Sequence, residues 1–256
     1  MTRYALYFTP SPASPWHAAG TQWLGRDALG GGSREQPHIP GVPPELFAQL
    51  TRAARRYGFH ATLKAPFRLA EDAHPARLLE MAGAFCATQQ PIVLPAPQVA
   101  RHRDFLALTS EDAGGEAAAL AMRCVSHFDV LRAQLTPEEI AHRRRDRLTP
   151  RQEILLQRWG YPYTEEQFRF HMTLTGALSG VAAETAARVQ SAAQRHFAAL
   201  AQTPLRIDGL SIMREAAPGA PFLLWKRCDF APPHVALAGA SRRLLAAESA
   251  NDMQPR

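Results

Sequence analysis

The sequence predicts an α+β protein in which antiparallel strands and helices form two similar halves. The pattern Phe-His-x-Thr-Leu occurs twice, starting at Phe59 and at Phe170, with 171 − 60 = 111 positions between the two histidines. After each copy come a helix-like pattern and a pair of strand-like segments that can form a hairpin. At 256 residues and 46% hydrophobic content, the chain can bury a full core. We therefore expect one domain over residues 1–247, with one half at about 45–110 and the other at about 165–230.

The first half begins with a strand at residues 3–9, RYALYFT, which is apolar and aromatic and stops at Pro10. Prolines and glycines break the periodicity of residues 10–44, which predicts a long loop that either covers a site or is a surface excursion. The patterns then predict helices at 44–56, 75–88 and 115–135, and strands at 59–69, 92–94, 98–102 and 105–109.

The second half begins after two helix starts, at Thr136 and Thr149. Each threonine is followed by proline and, three positions on, by Glu139 or Gln152, which together make a capping box. The remaining patterns predict a strand at 169–178, a helix at 182–201, hairpin strands at 205–213 and 222–228, and a disordered tail at 248–256.

The composition limits the kind of partner and compartment. A formal net charge of +6 and a pI of about 9.7 favour anionic partners, such as nucleic acid, nucleotides or small phosphates. The three cysteines are far apart, so they predict neither a disulfide framework nor a zinc knuckle and fit a reducing cytoplasm. No leader or membrane-spanning segment is predicted, so we expect a cytoplasmic protein without a membrane partner.

The repeated motif places one imidazole and one hydroxyl on the same face of each strand, because side chains two positions apart share a face. His60 and Thr62 form the first pair, and His171 and Thr173 form the second. Lys64 extends the polar row of the first copy, and Arg169 that of the second. A single copy would be read as an ordinary strand histidine, but two copies in matching context favour a functional site.

Two imidazoles on opposite sides of one bound group suit in-line displacement at phosphorus. One takes a proton from the attacking oxygen and the other protonates the leaving oxygen, and either histidine can be the base. Thr62 and Thr173 would donate to the phosphate oxygens, with Lys64 and Arg169 as further phosphate ligands. No cofactor is implied, and the residue two after each histidine is a hydroxyl, so no metal site is predicted.

These two tetrapeptides, His60-Ala61-Thr62-Leu63 and His171-Met172-Thr173-Leu174, resemble those of the 2H phosphoesterase superfamily. The resemblance implies a bilobal LigT-like fold with the site in the cleft between lobes, and metal-independent action on 2′,3′-cyclic or related cyclic phosphodiesters. The segments RYALYFTP, WLGRD at 23–27 and RWGYPY at 158–163 are similar to a bacterial subgroup encoded beside phosphonate-utilisation genes. That resemblance implies a phosphoribosyl cyclic phosphate as substrate.

Four further residues are candidate substrate contacts. Tyr161 and Tyr163 precede the second motif and could stack on a base, cap a sugar, or pack between helix and strand. Tyr4 and Arg101 lie on strands that border the expected cleft. The arginine-rich run at 142–147 is either a positive funnel or a solvated helix face.

Two other functions stay open at this point. The first is RNA processing, as a 2′,3′-cyclic phosphodiesterase or a 2′-5′ RNA-directed activity, for which the basic charge is suited. The second is a non-catalytic nucleotide-binding or RNA-binding module. The expected partner is a small phosphorylated sugar or a nucleotide, with RNA as the alternative, and the sequence leaves the oligomeric state open.

Overall fold

The computed structural model describes residues 1–232. The strands are β1 (Arg3–Phe8), β2 (Ala61–Phe67), β3 (Ile92–Leu94), β4 (Gln98–His102), β5 (Phe105–Thr109), β6 (His171–Thr173), β7 (Leu205–Ile207), β8 (Gly209–Glu215) and β9 (Leu223–Asp229). The helices are α1 (Pro15–Leu24), α2 (Pro44–Tyr57), α3 (Pro75–Ala87), α4 (Glu116–His127), α5 (Pro137–Arg143), α6 (Pro150–Trp159) and α7 (Ala183–Phe197). The predicted tail at 248–256 and the domain end at 247 lie outside the described residues.

The strands form a seven-stranded sheet in the order β4-β5-β6-β2-β1-β8-β9 and a two-stranded sheet of β3 and β7. Every pairing is antiparallel. Helices α3 and α7 pack on this framework, α3 against β8 and β9 and α7 against β4. The predicted α+β class with an antiparallel sheet is therefore confirmed.

The two halves of the sequence exchange strands in space. The β4-β5 hairpin of the first half pairs with motif strand β6 of the second half. The β8-β9 hairpin of the second half pairs with β1, which pairs with motif strand β2. Each side of the sheet therefore combines strands from both halves, which differs from the predicted division into 45–110 and 165–230. The two sides meet where β2 pairs with β6 through Ala61 and Met172.

Residues 10–44, which the sequence predicted as loop, contain helix α1. Its start has Pro15 at the first helical position, and its end has Gly25 in the left-handed conformation with φ 73°. Trp16 and Trp23 are buried in the main core, and the indole of Trp23 donates to the Leu174 carbonyl. Burial of these two indoles supplies the stability that the weak local periodicity did not indicate.

Three other predicted elements have different limits. The second motif strand ends at Thr173 because the next two amides both donate to the Leu106 carbonyl, and the Thr175 hydroxyl accepts from the Leu106 amide. The helix predicted at 115–135 ends at His127, where Lys64 donates to the Val125 carbonyl in the last turn. The strand predicted at 205–213 divides into β7 and β8, which belong to different sheets.

Both predicted capping boxes are present, at Thr136 with Glu139 and at Thr149 with Gln152. They begin α5 and α6, which connect the first half to the second motif. Within residues 1–232, no helix combines the length and apolar character needed to cross a membrane.

Candidate active site

The two motifs meet side by side in the sheet. Ala61 of β2 faces Met172 of β6 in an antiparallel register. That register sets His60 across from Thr173 and Thr62 across from His171, all on one face. The four side chains form a square with the histidines at opposite corners, which we call the His–Thr quartet.

Both imidazoles are held through the same ring nitrogen. His60 Nδ1 lies 2.8 Å from the Gly58 carbonyl oxygen, and His171 Nδ1 lies 2.8 Å from the Arg169 carbonyl oxygen. A carbonyl oxygen only accepts, so each Nδ1 carries a proton and each neutral ring has Nε2 free as a base. His60 Nε2 lies 3.2 Å from the Thr62 hydroxyl oxygen, and in this tautomer the hydroxyl donates to it.

A second ring from a neighbouring strand or hairpin stacks on each histidine. Tyr7 of β1 pairs with Thr62 in register, and its ring stacks on His60 with a centroid separation of 3.8 Å. His102 at the end of β4 stacks on His171 with a centroid separation of 4.9 Å. These contacts restrict both imidazoles to one orientation.

Burial makes both histidines weaker bases than an exposed imidazole. It lowers the pKa of His60 to about 4, and the nearby His171 lowers that pKa further, against a raising effect of the Gly58 hydrogen bond. Burial also lowers the pKa of His171, as does the positive charge of Arg103. Both pKa values therefore lie below the value of about 6.5 that is usual for histidine.

A cavity of about 430 Å³ opens beside the quartet, and its lining includes Thr62 and His171. The lining residues all lie between Thr62 and His171 in the sequence, so residues 10–44 do not cover this cavity. The wall combines apolar and aromatic side chains with four cations, which are Lys64, Arg103, Arg132 and Arg169. Such a mixture suits a small organic anion.

The two predicted cationic phosphate ligands are placed differently. Lys64 is buried, and its ammonium group donates to the Val125 carbonyl and the Asp129 carboxylate, each at 3.1 Å. Burial lowers its pKa, while Asp129 opposes that shift. Arg169 is exposed at the cavity wall and uses one terminal nitrogen on the backbone oxygens of Glu166 and Phe168. Arg169 therefore keeps donors for a ligand, whereas Lys64 serves an internal ion pair.

Of the four further candidates, two line the cavity and two do not. Tyr161 and Tyr163 both line it and meet edge to face at 5.4 Å between ring centroids. Tyr4 is buried in the main core and packs on Trp225, because it lies on the opposite face of β1 from Tyr7. Arg101 lies on the opposite face of β4 from His102, with a guanidinium nitrogen 3.6 Å from Asp104.

Sequence reasoning missed Tyr7, His102 and Arg103. The alternation in β1 separates Tyr4 from Tyr7, but it does not say which face carries the site. The same ambiguity applies to Arg101 and His102 in β4. The signal that could have found them is the pairing of these strands with the motif strands, which is a tertiary property.

Two curated proteins are similar to this chain over most of its length. The chain is 56% identical over 231 residues to a protein of Janthinobacterium sp. (strain Marseille) named ribose 1,5-bisphosphate phosphokinase PhnN, covering 90% of this chain and 51% of that protein. A protein of the same name from Laribacter hongkongensis (strain HLHK9) is 34% identical over 229 residues, covering 87% and 50%. The chain thus spans about half the length of these curated relatives.

Two solved structures are similar at low identity. TT0787 of Thermus thermophilus is 13% identical with a TM-score of 0.42, covering 91% of this chain and 100% of that one. Usb1 of Kluyveromyces marxianus is 11% identical with a TM-score of 0.34, covering 87% and 97%.

A family model matches residues 62–223, which include the second motif, the cavity wall and strand β5 beside the second motif. The chain therefore belongs to the family described as Protein of unknown function (DUF1045).

Proposed function

We propose that this protein is an enzyme that hydrolyses a cyclic phosphodiester by general acid–base catalysis, as a member of the 2H phosphoesterase type. The crosswise His–Thr quartet carries the proposal. Two imidazoles at opposite corners, each with an unprotonated Nε2, can stand on either side of one phosphorus atom. A module that only binds phosphate has no need for two such titrating groups.

The proposed reaction is one in-line displacement. One imidazole Nε2 takes a proton from water as the water oxygen bonds to phosphorus. The bond from phosphorus to the ring oxygen breaks, and the other imidazolium gives its Nε2 proton to that oxygen. The hydroxyls of Thr62 and Thr173 and the guanidinium of Arg169 stabilise the charge on the non-bridging oxygens. The products are a phosphomonoester and a free hydroxyl, and the two histidines exchange protons through solvent before the next turnover.

We further propose 5-phosphoribosyl 1,2-cyclic phosphate as the substrate, as part of phosphonate metabolism. Breaking its bond from phosphorus to O2 yields ribose 1,5-bisphosphate, the compound in the name of the two relatives. Half of each relative lies outside the match, so the kinase can reside there and act on the product made by this half.

The Gly30 to Ser33 run of this chain lacks the lysine of a phosphate-binding P-loop. The free thiols of Cys86, Cys124 and Cys228 support a cytoplasmic location.

Phosphorus NMR tests this function. The purified protein, in chelator, is incubated with 5-phosphoribosyl 1,2-cyclic phosphate and separately with a 2′,3′-cyclic nucleotide, each beside the His60→Ala/His171→Ala variant. We expect the ribosyl ring signal to become a monoester signal only with the intact protein. Faster opening of the nucleotide ring would favour RNA processing. Loss of activity in chelator would remove the metal-independent mechanism, and binding without turnover would favour the binding module.

The pH dependence of kcat/KM should be displaced to the acid side. Activity rises as the base loses its proton, which for His60 occurs at a pKa of about 4. Activity falls as the acid loses its proton, and the pKa of His171 lies below 6.5. Whichever histidine is the base, the maximum lies below about pH 6.5, because kcat/KM reports the free enzyme. A kcat/KM that continues to rise to about pH 8 would contradict these shifts.

The stability of the folded protein at acid pH sets the lowest pH at which these rates can be measured. A histidine with a lowered folded pKa favours folding above its unfolded pKa of about 6.5 and loses that contribution as pH falls toward 4. Circular dichroism at each pH therefore accompanies the rates, and only points with folded protein enter the profile.

A further inference from the structure

We propose that Arg103 binds a second phosphate group of the substrate, separate from the reacting cyclic phosphate. This inference rests on the proposed function and specifies its substrate class as a sugar cyclic phosphate that carries a terminal phosphate. A cyclic diester has one negative charge, and a phosphomonoester has close to two at neutral pH. A site for both therefore needs more positive charge than the reaction alone.

Arg103 supplies charge that no carboxylate among the described side chains neutralises. Among the four cations of the cavity wall, Lys64 and Arg132 both bind Asp129, at 3.1 and 2.7 Å. The carboxylate of Glu165, also in the wall, is held by Arg151 and Arg158. Within residues 1–232, Arg103 forms no ion pair with a carboxylate at a described side chain. The positive charge of Arg103 acts on neighbouring groups, since it lowers the pKa of both His102 and His171.

The backbone at Arg103 is unusual for an arginine. It lies between the paired residues His102 and Phe105, at the first central position of a two-residue hairpin turn. Its φ is 54°, in the left-handed region that favours glycine or asparagine in such turns. A strained non-glycine residue at the edge of a cavity is typical of a functional position.

The aromatic rings beside Arg103 favour an anion over a nucleobase. Its guanidinium carbon lies 4.5 Å from the ring centroid of Tyr163, which holds the group at the cavity wall. Arg143 lies over Tyr161 at 5.0 Å, and Arg158 over Trp159 at 4.7 Å. Each of these rings has a face covered by a cation, so that face cannot stack on a base. The group that the cavity wall presents beside His171 is therefore the guanidinium of Arg103, which suits an anion.

The test compares two substrates, ribose 1,2-cyclic phosphate with and without the 5-phosphate, on Arg103→Gln and on Arg101→Gln. Arg101 lies in the same hairpin but outside the cavity lining, so it is the matched control. We expect the intact protein and Arg101→Gln to prefer the 5-phosphorylated ring. Arg103→Gln should lower that preference about 10- to 100-fold, as expected for the loss of charge-assisted hydrogen bonds. A change in the pKa of His171 would affect the rates with both substrates equally. The ratio of the two rates is therefore independent of that change.

Four results separate this inference from the function it rests on. Equal opening of both rings by the intact protein, or an equal loss with both in Arg103→Gln, overturns the second-phosphate site and leaves the hydrolase standing. Preference for a 2′,3′-cyclic nucleotide also overturns it. If neither ring is opened, the proposed function fails, and calorimetry with ribose 5-phosphate decides the site. Binding weakened about 10-fold or more in Arg103→Gln but not in Arg101→Gln supports it, and equal binding overturns it.

The loss of preference in Arg103→Gln should come from the missing arginine side chain and not from a change in the fold. Arg103→Lys keeps the charge and loses the planar fork, so we expect a preference between those of the intact protein and Arg103→Gln. Circular dichroism melting confirms that each variant is folded.

Discussion

Replacing His60 or His171 with alanine is expected to lower kcat by about 10³-fold, within the range that a general acid or base contributes. The reason is the geometry of the quartet, in which each imidazole is the one proton carrier at its corner. Thr62→Ala or Thr173→Ala should cost about 10- to 100-fold, since each removes one hydrogen bond to a charged group and leaves the other threonine in place. The measurement is kcat by phosphorus NMR.

The controls separate chemistry from folding. His38 is exposed and is not part of the cavity lining, so His38→Ala should keep the rate of the intact protein. His60→Gln removes the ring that stacks on Tyr7 but keeps a polar side chain. We expect this variant to be folded and inactive, which would show that the loss of activity comes from the chemistry and not from the fold. The double histidine variant should be about as slow as either single one, because the two groups act in one step. Full activity in His171→Ala would rule out the proposed mechanism.

Replacing Glu215 with alanine destabilises the protein by about 2–4 kcal/mol, the expected result of breaking a buried ion pair. The Glu215 side chain is fully buried at the end of β8 and contacts Arg3 of β1 and Arg56 of α2. It also accepts from the Gly219 amide at 3.0 Å. The expected loss is smaller than for a wholly buried pair because Arg3 and Arg56 keep 27% and 31% exposure. Urea denaturation measures the change.

An exposed pair provides the control for Glu215. Glu184 bonds Arg188 one helical turn away on the surface of α7, with 77% and 46% exposure. Glu184→Ala should change the free energy of unfolding by less than about 0.5 kcal/mol. Equal effects of the two substitutions would show that Glu215 does not anchor β1 to α2. Burial raises the pKa of Glu215, but hydrogen bonds from both arginines outweigh it and hold the pKa below its usual range. Its contribution is therefore present above about pH 4.5 and lost on acidification.

The elements that the sequence predicted well have strong local signals. Strands β3, β4 and β5 begin and end at the predicted residues, and the capping boxes at Thr136 and Thr149 start α5 and α6 as predicted. In each case short-range chemistry decides the structure, through alternation in the strands and side-chain caps in the helices. Helix α1 was missed because its stability comes from burial of Trp16 and Trp23, which no local pattern reveals.

Within the site, the sequence by itself determined that each motif carries a histidine and a threonine on one strand face, because alternate side chains of a strand share a face. Only the tertiary structure decided that the pairs lie crosswise, since this depends on the register of Ala61 and Met172. It also decided that Tyr7, His102 and Arg103 border the site instead of Tyr4 and Arg101. The physical reason is range: local sequence fixes the alternation within a strand, whereas pairing with strands far away in the chain selects which face and which register are used.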